Sequence, residues 1–247
     1  MVGHLLVVSR NYWGANMSEK TAIMFTEKFK EFMCLDDTCI TKMIGGSVSV
    51  SGVKDTLYKV VRGVMERGYD RPVLYVYMNG HGNQVTDTSG DEMIGVMCSG
   101  ETIKDSMDEV YQLPDGNVLD DDITDIIQRG VVESGSDGRL LVVFISDHCS
   151  SGSMIDKKLV DYDWVSIGSS LDNQDSYMTG DGNVMTCNLL SVLGKNGLKK
   201  CSAIEVYRLL EEEMKGSFIG DMQSCTIHVS SEEMLRECIF GVGGEYV

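Results

Sequence analysis

Val73-Leu-Tyr-Val-Tyr-Met-Asn-Gly-His-Gly82 and Leu141-Val-Val-Phe-Ile-Ser-Asp-His-Cys-Ser-Ser-Gly152 decide the fold. Each is a short run of β-branched, aromatic and aliphatic residues that stops at a small polar cluster, one at His81 and the other at Cys149. Apolar runs of this length without polar alternation predict strands covered on both faces. Leu5–Val8 is a third such run, and Cys225–Val229 is a fourth strand candidate. Between them lie helical stripes. Ala22, Phe25, Phe29, Phe32 and Met33 form one, and Leu57, Val60, Val61, Val64 and Met65 another. Ile123, Ile126 and Ile127 follow an acidic first turn that suits a helix N-terminus, and Ile204, Tyr207, Leu210 and Met214 make the last stripe. Strands alternating with amphipathic helices predict an α/β fold, a mostly parallel central sheet with helices on both faces. Reactive groups in such sheets gather beyond the carboxyl ends of the strands, where His81 and Cys149 fall.

The 247 residues contain only 2 Pro and no low-complexity tract or solenoid repeat, which predicts one domain over 1–247. The N-terminal apolar run lacks a basic lead-in or cleavage site and reads as a first strand, not a signal peptide. No stretch approaches the roughly 20 apolar residues of a membrane span, so a soluble, cytoplasmic protein without a membrane partner is expected. The 8 Cys are scattered with no Cys-x-x-Cys pair, which predicts mostly reduced, buried thiols and leaves one or two for chemistry. A formal net charge of −17 repels a nucleic-acid backbone and favours cationic partners, either metal ions or substrates rich in Lys and Arg.

A cysteine nucleophile needs a base and a pair of donors for the developing oxyanion. His81 sits between Gly80 and Gly82, where the backbone is free to bend and approach a substrate. Cys149 is followed by Ser150-Ser-Gly152, small residues that leave its N–H accessible. His148 is a second base in sequence, but adjacent strand residues point to opposite faces, which turns it from the thiol or onto the cleft rim. Asp147 precedes Cys149 by two positions and shares its face. A carboxylate there opposes thiolate formation, so its use is to pair with a cationic substrate side chain. Asp108, Asp120-Asp-Asp122 and Asp156 are acids from three segments whose clustering a cation would screen, and Ca2+ suits hard oxygen ligands. Alternatively Asp120 to Asp122 cap the helix that carries Ile123. Asp87, Asp91 and Glu92 read as a solvated loop.

Tyr77-Met-Asn-Gly-His-Gly82 and Asp147-His-Cys-Ser-Ser-Gly152 resemble the two catalytic motifs of metacaspases, caspase-like cysteine peptidases that cut after Arg or Lys. Leu5-Leu-Val-Val-Ser-Arg-Asn-Tyr-Trp-Gly14, Ser169-Ser-Leu-Asp-Asn-Gln174 and Gly182-Asn-Val-Met-Thr186 resemble further segments of that family, in its order. The resemblance implies a caspase-hemoglobinase fold with a large-subunit-like part over 1–156 and a small-subunit-like part over 164–247. It implies a compact, monomeric, type I-like unit without a prodomain. Cys149 is then the nucleophile, His81 the proton shuttle, and the N–H groups of Gly82 and Cys149 the oxyanion hole. Asp147 and Asn79 would line the pocket for a basic side chain of a protein or peptide substrate, with Asp172 also substrate-binding. Relatives carry a second pocket acid in a Cys-x-x-Asp near the first helix; here Glu19 in Asn16-Met-Ser-Glu-Lys-Thr21 is the substitute. The family's calcium ligands fall on Asp108, Asp120, Asp121 and Asp156. Lys157 and Lys158 are self-cleavage points or ordinary surface lysines. Ser150 stands where relatives have His, which favours the rival reading, a caspase-like pseudoenzyme that binds or regulates without turnover.

Overall fold

The computed structural model describes residues 3–11, 16–87, 107–155, 160–195, 201–217 and 222–240. Chain order begins β1 (Gly3–Ser9), α1 (Met17–Met33), β2 (Ile40–Ile44), α2 (Val50–Met65) and β3 (Val73–Asn79). There follow β4 (His81–Thr86), β5 (Met107–Leu113), β6 (Gly116–Leu119), α3 (Asp120–Ser134), β7 (Leu141–Asp147) and β8 (Asp163–Gly168). The last part holds β9 (Met178–Thr179), β10 (Gly182–Asn183), α4 (Val184–Lys195), β11 (Cys201–Ser202), α5 (Ala203–Lys215), β12 (Thr226–Val229) and β13 (Cys238–Phe240). Six strands form the central sheet in the order β12-β8-β7-β3-β1-β2, all parallel except β12, which runs antiparallel to β8. The expected α/β architecture is therefore present.

The continuous apolar strands are explained by a core on each side of the sheet. Leu5 and Val7, Tyr75 and Tyr77, Val143 and Ile145 face a cluster with Phe25 and Phe29 of α1, Leu189 and Leu193 of α4, and Leu210 of α5. Leu6 and Val8, Val76 and Met78, Val142 and Phe144 face Leu57, Val61 and Met65 of α2 and Ile123 and Ile127 of α3. Every residue of β1, β3 and β7 is buried. Stacked Phe25 and Tyr77, with ring centroids 3.9 Å apart, hold α1 onto β3. At the far edge Arg139 forks onto Asp163 at 2.8 and 2.7 Å, fixing the start of β8. No helix among the described residues is long and apolar enough to cross a membrane.

Two readings needed adjustment. In α5 the buried face is Ala203, Val206, Leu210 and Met214, with Ile204 and Tyr207 only partly covered, so the helix is rotated from the stripe read in sequence. His81 does not sit in a free turn; it opens β4 of a separate antiparallel sheet, β4-β5-β6. The acidic start of α3 does cap that helix, since Asp122 accepts the Leu119 N–H at 3.2 Å. Asp120 in the same turn accepts the Asp121 N–H at 2.8 Å.

Three of the four histidines are deeply buried and carry no ion-pair partner among the described residues: His4, His148 and His228 each have a pKa lowered to about 4, chiefly by burial. An unfolded chain protonates them near pH 6.5 while the fold holds them neutral, so their contribution is complete above pH 6.5 and lost as pH falls towards 4. At pH 4.5 the loss is about 8 kcal/mol for the three at 1.36 kcal/mol per unit. Glu109 acts in the opposite sense, because burial and the nearby Asp172 carboxylate raise its pKa to about 9 and acid relieves that cost. Its relief returns about 3 kcal/mol between pH 7 and 4.5. The expected net is a loss of about 5 kcal/mol, a large share of a typical domain's stability. Urea unfolding at pH 7.0 and 4.5 measures it, and equal midpoints would contradict it.

Candidate active site

The parallel register sets three polar residues side by side at the carboxyl ends of the central strands. Ser9 pairs with Asn79, and Asn79 with Asp147, across β1, β3 and β7. All three are fully buried. Alternation along each strand turns them to the same face as Val7, Tyr77 and Ile145, towards α1 and α4. The Asp147 carboxylate accepts the Ser176 hydroxyl at 3.0 Å on one oxygen. Its other oxygen accepts the Thr186 N–H at 3.0 Å and the Thr186 hydroxyl, which the Tyr77 hydroxyl supports at 2.8 Å. Asn183 donates to the Asp147 carbonyl at 3.3 Å, and Asn79 donates to the Ser18 carbonyl at 2.9 Å. Those bonds use the amide nitrogens. The side-chain oxygens of Asn79 and Asn183 stay buried without a hydrogen-bond partner among the described residues. Around Asp147 the floor is thus rich in acceptors, and burial raises its pKa. Such a floor fits a ligand that brings several N–H donors and a positive charge.

Two residues beyond that row the strands deliver His81 and Cys149. Gly80 makes the step from β3 to β4 with φ +150°, and a Cβ there would lie 2.7 Å from the Arg10 carbonyl. After β7 the chain turns at Ser150, whose φ of 51° is unusual for a residue with a side chain. The Ser150 N–H bonds the Gln174 carbonyl at 3.1 Å, and the Ser176 N–H reaches the Cys149 sulfur at 3.3 Å. Burial, first of all, pushes the Cys149 thiol up, and the Asp175 carboxylate pushes it further, against the Ser176 N–H. The resting sulfur is therefore a thiol, not a thiolate. His81 is exposed, and partial burial of its ring lowers its pKa, which leaves it neutral and able to accept a proton at pH 7. His148, one residue earlier, faces the opposite side and is buried beside Tyr111, with ring centroids 5.6 Å apart.

Gly82 joins the two strand ends. A Cβ on it would lie 2.1 Å from both the Cys149 carbonyl oxygen and the His148 Nδ1, so its backbone runs directly against the Cys149 peptide. Gly82→Ala must displace the Cys149 turn. An expected cost of about 1–3 kcal/mol in stability accompanies slower iodoacetamide capture of Cys149, and a variant with unchanged melting and capture rate would contradict the contact.

The remaining acids lie on the other side of the turn. Glu109 of β5 accepts the Ser153 hydroxyl and, at 2.9 Å, the Gln84 amide. Asp172 also meets Ser153, at 3.0 Å, and a Cβ at Gly152 would lie 2.2 Å from its Oδ1. Asp172 is thus placed against the turn after Cys149 and near Glu109, and not on Asp147. Glu19 lies beside Gly45 at the end of β2, with its carboxylate 3.6 Å from where a Cβ there would sit. Asp108 and Asp120 are both buried, and the pairing of Val110 with Leu119 brings their ends of β5 and α3 together. Asp121 follows in the same first turn. Asp156, Lys157, Lys158, Asp91 and Glu92 lie outside the described residues. Among the described residues no three His, Cys, Asp or Glu side chains are grouped to hold a metal ion.

Sequence reading missed Ser176, Thr186, Asn183, Glu109 and Ser153. Ser, Thr and Asn at those positions carry no pattern of their own, because their roles arise only from packing against strands far away in the chain. Glu109 follows Asp108 directly, but strand alternation hid which of the two would be buried beside Ser153.

The fold and site define an α/β protein with a thiol, an imidazole and a buried carboxylate at the carboxyl end of a mostly parallel sheet. Among solved structures the chain is similar to protein GSU0716 from Geobacter sulfurreducens, with a TM-score of 0.69 and 20% identity over 98% of this chain and 99% of that one. That likeness speaks for the shared fold alone. No protein-family model and no curated protein matches the chain.

Proposed function

We propose that this chain is a metacaspase-like cysteine endopeptidase of the caspase-hemoglobinase fold that cleaves peptides after Arg or Lys. The observation that carries the reading is Asp147: a buried carboxylate with no Lys, Arg or His ion-paired to it among the described residues, near the unpartnered amide oxygens of Asn79 and Asn183 and two residues from a thiol. A guanidinium would supply the donors and the charge that this floor lacks. With the basic side chain seated there, its carbonyl carbon comes to the Cys149 sulfur. His81 takes the thiol proton as sulfur attacks, and the oxyanion meets the N–H groups of Gly82 and Cys149. Collapse breaks the C–N bond, His81 returns the proton to the leaving amine, and water then hydrolyses the thioester.

Calcium is proposed as the activator. Buried Asp108 and Asp120 in neighbouring elements are the carboxylates that would meet a hard cation. Asp108, Asp120, Asp121 and Asp156 would hold it, and it would supply positive charge that orders the turn after Cys149. Adding calcium to chelator-treated protein is expected to raise turnover by about 10-fold or more, as the cation orders that turn. Full activity in excess chelator would remove calcium from the reading.

A raised thiol pKa, together with Ser150 at the position where relatives have His, favours a second reading, a pseudoenzyme that binds basic peptides without cutting them. Fluorogenic peptides ending in Arg, Gln or Asp, assayed with calcium, separate the two. Cleavage of the Arg peptide alone supports the peptidase; saturable binding of that peptide without product supports the pseudoenzyme.

A further inference from the structure

His148 is the least expected side chain at the site, and the proposed chemistry does not use it. Its Nδ1 lies 2.9 Å from the carbonyl oxygen of Cys149. A carbonyl can only accept, so the proton of the neutral ring is on Nδ1 and the lone pair is on Nε2. Nε2 is buried without a hydrogen-bond partner among the described residues, so the ring is placed for the one bond it makes. The next group along, the Ser150 N–H, bonds the Gln174 carbonyl at 3.1 Å. Both ends of the peptide unit between Cys149 and Ser150 are therefore tied, the C=O to His148 and the N–H to Gln174. That peptide precedes the positive φ of Ser150, a conformation that persists only where its surroundings enforce it. The same ring touches the space above Gly82, so it also spaces the two N–H groups assigned to the oxyanion.

We propose that His148 is a positioning residue: by clamping the Cys149 carbonyl and spacing Gly82 from Cys149, it sets the oxyanion hole and the direction of the nucleophile without touching substrate. The inference rests on the cysteine peptidase reading. An effect on the oxyanion hole acts on the transition state and leaves ground-state binding alone, so it appears in kcat and not in KM.

The test compares the full-length wild type with His148→Leu and His148→Asn on an Arg peptide in calcium. Asn presents an N–H near the place of Nδ1 and keeps the clamp, whereas Leu fills the space without a donor. The Leu variant is expected to lose about 10²–10³-fold in kcat with KM within about twofold, the scale of a lost oxyanion contact. The Asn variant is expected to recover most of that loss. Amide exchange at Ser150, followed by mass spectrometry in the same samples, should accelerate in the Leu variant and not in the Asn variant. A folded Leu variant with wild-type kcat, or an Asn variant as impaired as Leu, overturns the role. A wild type that shows no turnover dependent on Cys149 overturns the peptidase reading instead. The exchange comparison then still decides whether His148 holds this peptide, and equal exchange in all three proteins overturns the clamp.

Discussion

Cys149→Ala is expected to reduce kcat/KM for an Arg peptide by at least about 10⁴-fold, to the level set by binding and the oxyanion donors alone. The size follows from the role proposed for the thiol: it alone would form the acyl-enzyme, and neither Ser150 nor Ser151 would replace it. Ser150 leaves the turn at φ 51°, and Ser151 is buried, with its hydroxyl near the Ser169 hydroxyl at 3.2 Å. Folding should be untouched, since Ala removes only a half-buried sulfur whose acceptor role towards the Ser176 N–H water can assume. The measurement is steady-state cleavage beside a thermal melt. Residual activity above about 1% of wild type in a variant with an unchanged melt would place the nucleophile elsewhere.

The pH profile of the wild type reports on protonation. Because burial raises the Cys149 thiol and lowers the His81 ring, the resting pair is neutral at pH 7 and the proton moves during attack. Rate should therefore fall on the acid side as His81 protonates, below the ordinary histidine value of about 6.5. A preformed ion pair would instead give iodoacetamide capture of Cys149 that is already maximal at pH 6.

The parts of this molecule legible in sequence are those governed by local chemistry. Buried parallel strands announce themselves as unbroken apolar runs, so β1, β3 and β7 were found to within a residue or two, and with them the positions of His81 and Cys149. The stripe of α2 is legible but for its first member: Leu57, Val60, Val61, Val64 and Met65 face one core, and Val53, a turn earlier, joins them. What was hidden depends on pairing at long range. β4 reads His-Gly-Asn-Gln-Val-Thr, too polar to signal a strand, and exists because β5 supplies its ladder. β8 was passed over because Asp163, Ser166 and Gly168 interrupt its apolar run, although packing buries all six of its residues. Asp147 was found as an acid near the thiol, but its donors come from Ser176 and Thr186, placed there by α4 and the segment before β9. Glu19, chosen for its place on the first helix, could not be assigned a direction until the end of β2 was located beside it.

Asp147→Asn should lower kcat/KM for Arg and Lys peptides by about 10³-fold or more, the cost of leaving a desolvated substrate cation without its counter-charge. Peptides with an uncharged residue at the same position should change by less than about threefold, a difference of under 1 kcal/mol. The substitution is compatible with the fold because its hydrogen bonds can be rearranged. Both Thr186 donors fall on one carboxylate oxygen, which the Asn oxygen can replace. The Ser176 hydroxyl on the other side then turns to accept from the new NH₂ group, since a hydroxyl can take either role. Asp147→Leu has no such recourse: it strands the Thr186 N–H and costs about 1–3 kcal/mol in stability. Comparing the two separates charge from scaffold. If Asn and Leu lose Arg cleavage equally while only Leu loses stability, the negative charge is the specificity determinant. If Asn cleaves Arg peptides as the wild type does, Asp147 is a buried structural acid whose work is done by Thr186 and Ser176, and the basic pocket must lie elsewhere.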